Sequence, residues 1–276
     1  MKLSIVILNY NTYEMTLKLI KNIEDIYSKK SSIEIIVVDN ASSNESAEVL
    51  KEKSNDSRRF IFLKNKNNSG YAAGNNVGIR YALNNGADYV LISNNDIEIE
   101  SADCINRMIQ LMELNGNIGV VSPRIISKNG KKDPPLYFEK PSLWDMTFGI
   151  INSHKKRFRI DENVNRRIYA PRGSFMLLRA IDIKNVNYLD EGTFLYYEEP
   201  ILAERLHKIN KECWLCAESV VIHNHGKTIS NTLQKKNTCK ILCKSYGYYL
   251  KEYRNYNWLI RTICIKVREC SYMIRR

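Results

Sequence analysis

Three short clusters of polar residues each follow an apolar, β-branched run directly, at the positions where strands would end. Residues 9–11 (NYN) follow the first run, residues 39–42 (DNAS) follow the second, and residues 93–96 (SNND) follow the fourth. Such residues form strands poorly, and any one cluster alone is typical of a turn or a helix cap. If the runs are strands of one parallel sheet, the clusters meet at one edge, and a shared ligand explains all three.

A glycine-rich segment, NNSGYAAGNNVGIRYA, spans residues 67–82 between the third and fourth runs. Gly70 and Gly74 free the backbone, and Asn75 and Asn76 can begin the following helix, so that its amides and N-terminal dipole face an anion. The spacing matches neither the P-loop nor the GxGxxG of a dinucleotide site. The segment therefore indicates anion binding without identifying the ligand.

The elements that must position these residues alternate along the first part of the chain. The apolar runs are LSIVIL, IEIIVVD, FIFLK, YVLIS and IGVVSP, and helically spaced segments lie between them at residues 16–26, 46–53 and 76–83. This alternation predicts a βαβ series. Strands so uniformly apolar are covered on both faces, which is typical of a mostly parallel sheet with right-handed crossovers. The predicted fold class is therefore α/β.

The composition is that of a globular chain. With 276 residues, of which 44% are hydrophobic and 26% charged, the chain can bury a core of its own, which argues against disorder. No run of about eighteen apolar residues occurs, and Met1 leads into the first strand-like run without the pattern of a signal peptide. We expect a cytoplasmic protein, with any membrane contact being peripheral.

The seven cysteines are an odd number and are scattered, which favours reduced thiols. Cys213 and Cys216 form a CxxC, and Cys239 and Cys243 follow, so a zinc site is an alternative. The CxxC lies in the alternating run ECWLCAESVVIH, where a strand would point the two sulfurs to opposite faces. Core thiols are the preferred interpretation.

Residues 231–276 carry most of the net charge. They contain eleven lysines and arginines against two glutamates, which is +9 of the formal +12, and seven tyrosines and tryptophans are interleaved with these cations. Amphipathic rings together with cations suit an anionic membrane surface. The alternatives are a helical face packed on the protein itself and, least favoured, single-stranded nucleic acid. We expect a helical extension that contacts an anionic membrane and no nucleic acid.

Seven segments, in this order, resemble the family 2 glycosyltransferases of the GT-A fold, and in particular the bacterial rhamnosyltransferase-like branch. They are VILNYN, VVDNASSN, NNSGYAAGNN, LISNND, RGSFMLLR, FLYYEEP and VIHNHGKT. The resemblance implies a GT-A domain over residues 1–230, with a nucleotide-binding half at 1–100 and an acceptor-binding half at 101–230. Residues 231–276, which match only loosely, form the extension. The implied reaction is inverting transfer of rhamnose or another hexose from a dTDP- or UDP-sugar to a surface polysaccharide or lipid-linked glycan.

The resemblance also implies which residues bind the donor. In the family the aspartate after the second strand reads the nucleobase, so Asp39 is expected to accept a hydrogen bond from the imide N–H of uracil or thymine. An Asx turn or helix cap involving Ser42 and Ser43 is the alternative. The implied donor-binding residues are Asn9, Tyr10, Asn11, Asp39, Asn40, Gly70, Gly74, Asn75, Asn94, Asn95 and Asp96.

A metal site is implied by two matches. Asp96 matches the last position of the family's DxD motif, spelled NND at residues 94–96, and His223, rather than His225, matches the histidine after the last core strand. Together they would hold Mn²⁺ or Mg²⁺ against the leaving diphosphate. Because asparagine stands first in the motif, we expect modest metal affinity until the donor adds its oxygens. A cap for a helix near Ser101 is the alternative for Asp96, and a packed or solvated role for His223.

The family places its catalytic base in an acidic pair that opens a helix, where Glu198 and Glu199 stand. Glu199 matches the base, and neighbouring aromatic residues should desolvate the pair and keep one carboxylate poised for proton transfer. A pair that stabilises the helix N-terminus, with Pro200 in the first turn, is the alternative. Glutamate replaces the usual aspartate, and Ile201 replaces a second acidic residue, which indicates a different acceptor or an altered geometry.

The acceptor side is less regular. Residues 127–167, with the basic run HKKRFR at 154–159, predict an acceptor-side loop whose cations could meet a lipid diphosphate. Arg172, Gly173 and Ser174 then begin a strand that the family places along the acceptor cleft.

Two other functions stay open, a nucleotidyltransferase and a noncatalytic nucleotide-sugar-binding subunit. The aromatic tail could also bury itself in a second copy, which leaves a homodimer open.

Overall fold

The computed structural model describes residues 1–27, 33–57, 59–135, 137–147, 161–224 and 235–274. Nine strands in these ranges form one sheet in the order β3-β2-β1-β4-β8-β6-β9-β5, and β7 pairs with β9. The strands are β1 (Leu3–Asn9), β2 (Ile33–Asp39), β3 (Ile61–Lys64), β4 (Tyr89–Asn94), β5 (Ile97–Ile99), β6 (Ile118–Ile126), β7 (Arg166–Ile168), β8 (Phe175–Arg179) and β9 (Glu212–His223). All five predicted strands are present.

The strand directions confirm a mostly parallel sheet. The first four strands pair in parallel, and β8 is antiparallel to both β4 and β6. Because two reversals cancel, β6 and its parallel partner β9 run in the same direction as β1 to β4. Their carboxyl ends therefore meet at the same edge of the sheet.

Helices cover both faces of the sheet, as the apolar strands predicted. They are α1 (Tyr13–Tyr27), α2 (Ser46–Ser57), α3 (Tyr71–Asn84), α4 (Asp103–Leu114), α5 (Leu143–Thr147), α6 (Ala180–Asn185), α7 (Glu198–Lys208), α8 (Lys235–Glu252) and α9 (Trp258–Ile274). Ile5 of β1 packs in one core cluster with α1 and α4, and the next residue, Val6, packs in another with α3 and α7. Each such buried aliphatic side chain stabilises the fold by about 1.5–3 kcal/mol.

The prediction that Asn75 and Asn76 begin a helix is wrong, because α3 begins at Tyr71 and both asparagines lie inside it. The glycines instead allow close packing of this helix on the sheet. A Cβ at Gly74 would lie 2.6 Å from Leu8 Cδ1, which is closer than van der Waals contact permits.

The CxxC thiols lie where the strand pattern placed them. Cys213 and Cys216 are both buried in β9, in the core clusters on opposite faces of the sheet. The two sulfurs therefore cannot converge on one ion without a break in the strand.

The C-terminal helices α8 and α9 confirm the predicted helical extension. They form a third apolar cluster with α5 and the start of α7, in which Tyr246 and Tyr249 are fully buried. Packing on the protein therefore accounts for the buried face of α8. The boundary between the GT-A domain and this extension, at residue 230, stays a prediction. None of the described helices combines the length and apolar character needed to cross a membrane.

Candidate active site

The three polar clusters do meet at one edge of the sheet, where they form a continuous hydrogen-bond network. Asn9 Nδ2 donates to Asp39 Oδ1 at 2.8 Å, and Thr16 Oγ1 donates to Asn9 Oδ1 at 2.8 Å. Asn95 Nδ2 in turn donates to Thr16 Oγ1 at 3.0 Å. These four residues and Ser42, which we call the edge network, join the ends of β1, β2 and β4 to α1.

Within the edge network, Asp39 forms the turn that was its alternative interpretation. Its Oδ1 accepts from Ser42 Oγ at 2.6 Å and its Oδ2 from the Ser42 amide at 3.0 Å, and the residue is fully buried. A nucleobase would have to compete with these bonds. The base-reading role of Asp39 stays a prediction.

Asn11 and Asn40 also bind neighbouring loops. Asn11 has a left-handed backbone, with φ 58°, and its side chain accepts from the Ser43 amide at 2.8 Å. Asn40 Nδ2 donates to Asn68 Oδ1 at 3.0 Å and to the Gly70 carbonyl at 3.1 Å, which fixes the glycine-rich segment to the end of β2. Tyr10, between these loops, is half-buried.

The start of α3 faces protein backbone. Gly70 has φ 96°, and a Cβ there would overlap the Phe194 carbonyl, which also accepts the Tyr71 amide at 2.8 Å. Inside the helix, Asn75 Nδ2 donates to the Tyr71 carbonyl at 3.0 Å, and Asn76 exchanges hydrogen bonds with the Leu189 backbone. Because Gly70 has no side chain, the loop that precedes α7 can pack directly against its backbone.

Asp96 and His223 are brought together by strand pairing. In the antiparallel pairing of β5 and β9, Ile97 lies opposite His223, which puts the histidine beside the residue before Ile97. His223 Nε2 lies 3.1 Å from Asp96 Oδ1, and the two residues are only 9% and 8% exposed. Ser101, not Asp96, accepts an amide at the start of α4.

The geometry of this pair fits two ligands of one ion. Ligands at about 2.1 Å on neighbouring octahedral positions are about 3 Å apart. Asp96 Oδ1 is buried, and no described donor is aligned to hydrogen-bond it. The described residues contain no group of three or more potential ligands, so the other positions would be filled by substrate oxygens and water.

The other residues of the NND motif point to different places. Asn94 lies at the end of β4 and lines a cleft, and its amide donates to the Ser174 carbonyl at 2.8 Å. Asn95 is turned toward α1, where its side chain bonds the hydroxyls of Thr12 and Thr16. Asp96 is therefore the residue of this motif that faces His223.

One cleft of about 450 Å³ joins the predicted catalytic and acceptor residues with His223 of the predicted metal pair. Its lining comprises Tyr71, Asn94, Asp133, Tyr137, Arg172, Gly173, Ser174, Leu195, Tyr196, Tyr197, Glu198, Glu199, His223, Leu242 and Arg268. The tyrosines, Leu242 and Arg268 were not predicted as site residues. Tyr137, Leu242 and Arg268 lie outside the seven segments that resemble the family and reach the cleft from distant parts of the chain, whereas the other tyrosines stand inside those segments.

The acidic pair is presented by a strained turn. Tyr196 and Tyr197, directly before α7, have φ values of 73° and 72°. This left-handed conformation costs a non-glycine residue on the order of 1–3 kcal/mol and concentrates at functional sites. Tyr197 is held by ring stacking against Tyr246 and Tyr249 of α8, at centroid distances of 5.3 and 5.4 Å.

The two carboxylates have different surroundings. Glu198 is 7% exposed and its Oε1 has no hydrogen-bond partner among the described residues. Burial, and then the neighbouring Glu199, raise the pKa of Glu198 to about 8. Glu199 Oε1 instead accepts the Gly173 amide at 3.0 Å. The pair therefore combines one desolvated carboxyl group with one that is held by backbone.

The predicted acceptor residues line the same cleft. Arg172 pairs with Asp133, and a Cβ at Gly173 would lie 2.9 Å from Glu199 Oε1. Ser174 Oγ is buried and lacks a hydrogen-bond partner among the described residues. The basic run at 154–159 and His225 lie outside the described residues.

Two solved structures share this fold. The mannosyltransferase PcManGT from Pyrobaculum calidifontis, in complex with GDP-Man and Mn²⁺, aligns over 99% of this chain and 70% of its own, with a TM-score of 0.65 and 11% identity. S. aureus TarS in complex with UDP-GlcNAc aligns over 96% of this chain and 70% of its own, with a TM-score of 0.60 and 14% identity. These likenesses confirm the predicted GT-A fold.

The sequence comparisons identify the family. Residues 4–185 match the family model described as glycosyl transferase family 2. The low-salt glycan biosynthesis hexosyltransferase Agl10 of Haloferax volcanii is 32% identical over 224 residues, which are 80% of this chain and 67% of that protein. On these two matches, the chain belongs to glycosyl transferase family 2 and is a glycosyltransferase.

Proposed function

We propose that this enzyme transfers rhamnose or another hexose, with inversion, from a dTDP- or UDP-sugar to a growing surface polysaccharide or lipid-linked glycan. The observation that carries the proposal is that one cleft is lined both by His223, which lies 3.1 Å from Asp96, and by Glu198 and Glu199. A sugar bound between them would have its leaving diphosphate at one group and the attacking hydroxyl at the other.

At the donor end, Asp96 and His223 would hold Mn²⁺ or Mg²⁺. At these two residues a divalent cation would supply positive charge to balance the charge that grows on the departing diphosphate, without any proton transfer. The carboxylate–imidazole pair and its 3.1 Å spacing support this assignment. PcManGT, which shares the fold, binds GDP-Man and Mn²⁺.

At the acceptor end, Glu199 would act as the base. The acceptor oxygen forms a bond to the anomeric carbon, the bond from that carbon to the donor phosphate breaks, and Glu199 takes the hydroxyl proton. The nucleoside diphosphate then leaves with the bonding electron pair. The 3.0 Å bond from the Gly173 amide fixes Glu199, and Glu198, with its pKa of about 8, stays largely uncharged at neutral pH. The base therefore works beside a neutral neighbour.

We further propose that the C-terminal helices contact the anionic inner face of a membrane. Trp258, which is 69% exposed, Leu259 and Ile263 form an exposed apolar stripe on α9. The exposed lysines of α8 recur at positions 236, 240, 244 and 251, which places them on one face of that helix. Apolar rings beside cations suit anionic lipid headgroups.

Vesicle flotation tests the membrane proposal. The protein should float with phosphatidylglycerol vesicles but not with phosphatidylcholine vesicles, and salt should weaken the binding. Replacing Trp258 and Ile263 together by serine should abolish it, whereas Leu114→Ser, an exposed apolar residue on α4, should not. Failure to bind any anionic vesicle would end the proposal.

Thermal-shift screening against UDP-, dTDP- and GDP-sugars with Mn²⁺ tests the donor assignment. A dTDP- or UDP-sugar should raise the melting temperature more than a GDP-sugar, and turnover should release a nucleoside diphosphate. Release of pyrophosphate would identify a nucleotidyltransferase instead. Stabilisation only by GDP-sugars would overturn the proposed donor.

A further inference from the structure

The two arginines that line the cleft differ in how their charge is balanced. Arg172 pairs with Asp133, and its Nε donates to the Pro134 carbonyl at 2.9 Å. Arg268, on α9, donates from Nη1 to the Met146 carbonyl at 3.4 Å and lies over the Tyr246 ring. None of the carboxylates in the described ranges lies within ion-pair distance of it. Arg268 thus brings a positive charge to the cleft that no described acidic group neutralises.

Ring stacking ties Arg268 to the turn that presents the acidic pair. Its guanidinium carbon lies 5.9 Å from the Tyr246 centroid, and Tyr246 stacks on Tyr197, the residue before Glu198. Arg268 is close enough to Tyr197 to oppose the rise in its pKa that burial causes. Tyr197 lines the cleft, and its Oη is buried and has no hydrogen-bond partner among the described residues. The Arg268 guanidinium and the Tyr197 hydroxyl, which has no described hydrogen-bond partner, thus lie near one another.

Resting on the proposed function, we infer that Arg268, assisted by the Tyr197 hydroxyl, binds a phosphate group of the acceptor. Arginine offers a planar fork of N–H donors that matches two phosphate oxygens at once. Without such a ligand, Tyr197 Oη is a buried polar atom that lowers stability. The inference gives the C-terminal helix a direct part in acceptor recognition.

The charges of the cleft also set the direction in which such an acceptor lies. A phosphate close to the acidic pair would be repelled, and a phosphate beside Arg268 would be attracted. The acceptor is therefore oriented with its phosphate at Arg268 and its hydroxyl at Glu199. The donor diphosphate is assigned to Asp96 and His223, so the two anions bind at different residues.

Calorimetry with the full chain tests the inference, with geranyl diphosphate as the probe. Arg268→Gln should weaken its binding by at least tenfold, and Arg268→Lys should bind with intermediate affinity, because lysine keeps the charge but not the fork. Lys266→Gln is the matched control, since Lys266 is on the same helix, 72% exposed and paired with Glu269. It should stay within twofold of the wild type.

Inorganic pyrophosphate separates the two sources of phosphate. It should bind the wild type more weakly than geranyl diphosphate, because it lacks the rest of an acceptor. Equal, Arg268-dependent binding of both probes would mean that the site takes free diphosphate, and would overturn the acceptor assignment. Equal binding of geranyl diphosphate by the wild type and Arg268→Gln would overturn the inference altogether.

A second readout keeps the test independent of folding and of the proposed function. The melting temperatures of both Arg268 variants, and their stabilisation by a nucleotide sugar with Mn²⁺, should match the wild type. In a transfer assay with a lipid-diphosphate-linked sugar, Arg268→Gln should raise the acceptor KM about tenfold with little change in kcat. If no nucleotide sugar binds the wild type while probe binding still depends on Arg268, the proposed function fails and the phosphate site stands.

Discussion

The edge network and the cleft are both polar and both buried, yet their side chains are satisfied differently. In the edge network, Asp39, Asn9 and Thr16 bond one another and their loops. In the cleft, Ser174 Oγ and Glu198 Oε1 have no hydrogen-bond partner among the described residues. An unsatisfied buried polar group costs about 1–3 kcal/mol, so a region that keeps several is built for something that supplies the bonds. Hydrogen-bond satisfaction thus distinguishes the two regions more sharply than polarity does.

The largest expected effect of a substitution in either region is the loss of sugar transfer in Glu199→Gln. The substitution removes the proposed base while keeping an acceptor for the Gly173 amide, so sugar transfer should fall by about 10²–10⁴-fold with nucleotide binding unchanged. Steady-state kinetics together with thermal shift would measure both. Glu218→Gln, an exposed glutamate of β9 that pairs with Arg107, is the control and should be as active as the wild type. Near-normal turnover in Glu199→Gln would remove this residue from the mechanism.

The next effect is expected for Asp96→Asn, which removes the one carboxylate of the proposed metal pair. Loss of an outer-shell partner of a metal ligand lowers metal affinity by roughly 10–100-fold. Loss of the ligand itself should lower metal affinity by at least as much. Titration of Mn²⁺ in the presence of a nucleotide sugar, followed by thermal shift, measures it. Asp103→Asn, an exposed acid in the first turn of α4, should leave the titration unchanged. An unaltered midpoint in Asp96→Asn would place the ion elsewhere.

Asn9→Ala and Ser174→Ala compare the two regions directly. Loss of the Asn9 side chain leaves Asp39 and Thr16 each short of a partner, so the free energy of unfolding should fall by about 1–3 kcal/mol. Ser174→Ala removes a buried hydroxyl that has no described partner, so the free energy of unfolding should not fall and should rise by up to about 1–3 kcal/mol. Urea unfolding measures both, and equal losses would contradict the difference in hydrogen-bond satisfaction between the two regions.

The last prediction is a pH dependence carried by Glu198. Because its folded pKa of about 8 lies above the ordinary value of 4.5, the folded state binds the proton more tightly than the unfolded state. Its contribution to stability should therefore decline as pH rises from about 4.5 to 8, by about 1.4 kcal/mol for each unit of pKa difference. Glu198→Gln should lack this decline and exceed the wild type in stability by more than about 1 kcal/mol at pH 9. Parallel pH profiles for the two proteins would contradict this.

Much of the fold was predictable from local sequence pattern. The runs that became β1 to β4 and β6 are mostly apolar and contain β-branched residues, as is typical of strands buried on both faces of a sheet. The meeting of three polar clusters followed from the shared direction of those strands. The start of α3 was predicted wrongly, because Gly70 and Gly74 fit a loop as well as they fit close packing against Phe194 and Leu8.

The candidate site was predictable only where a motif marked it. Asp96, His223 and the acidic pair were found because they stand in segments that resemble a known family. Arg268 carried no such mark, since it lies outside those segments and is tied to the site through space, over the ring of Tyr246, which stacks on Tyr197 about fifty residues earlier in the chain. The sequence also did not distinguish Glu198 from Glu199, because desolvation depends on neighbours in space.

The sequence by itself determined the five strands β1 to β4 and β6, the edge at which polar residues gather and the family to which the chain belongs. These features depend on residue types at short, regular spacing, which local structure obeys. Only the tertiary structure decided that Asp39 is satisfied, that Glu198 is desolvated, and that Arg268 lines the cleft without an acidic partner in the part of the chain described. Burial and charge balance at these positions are sums over neighbours from many segments, and no single stretch of sequence contains them.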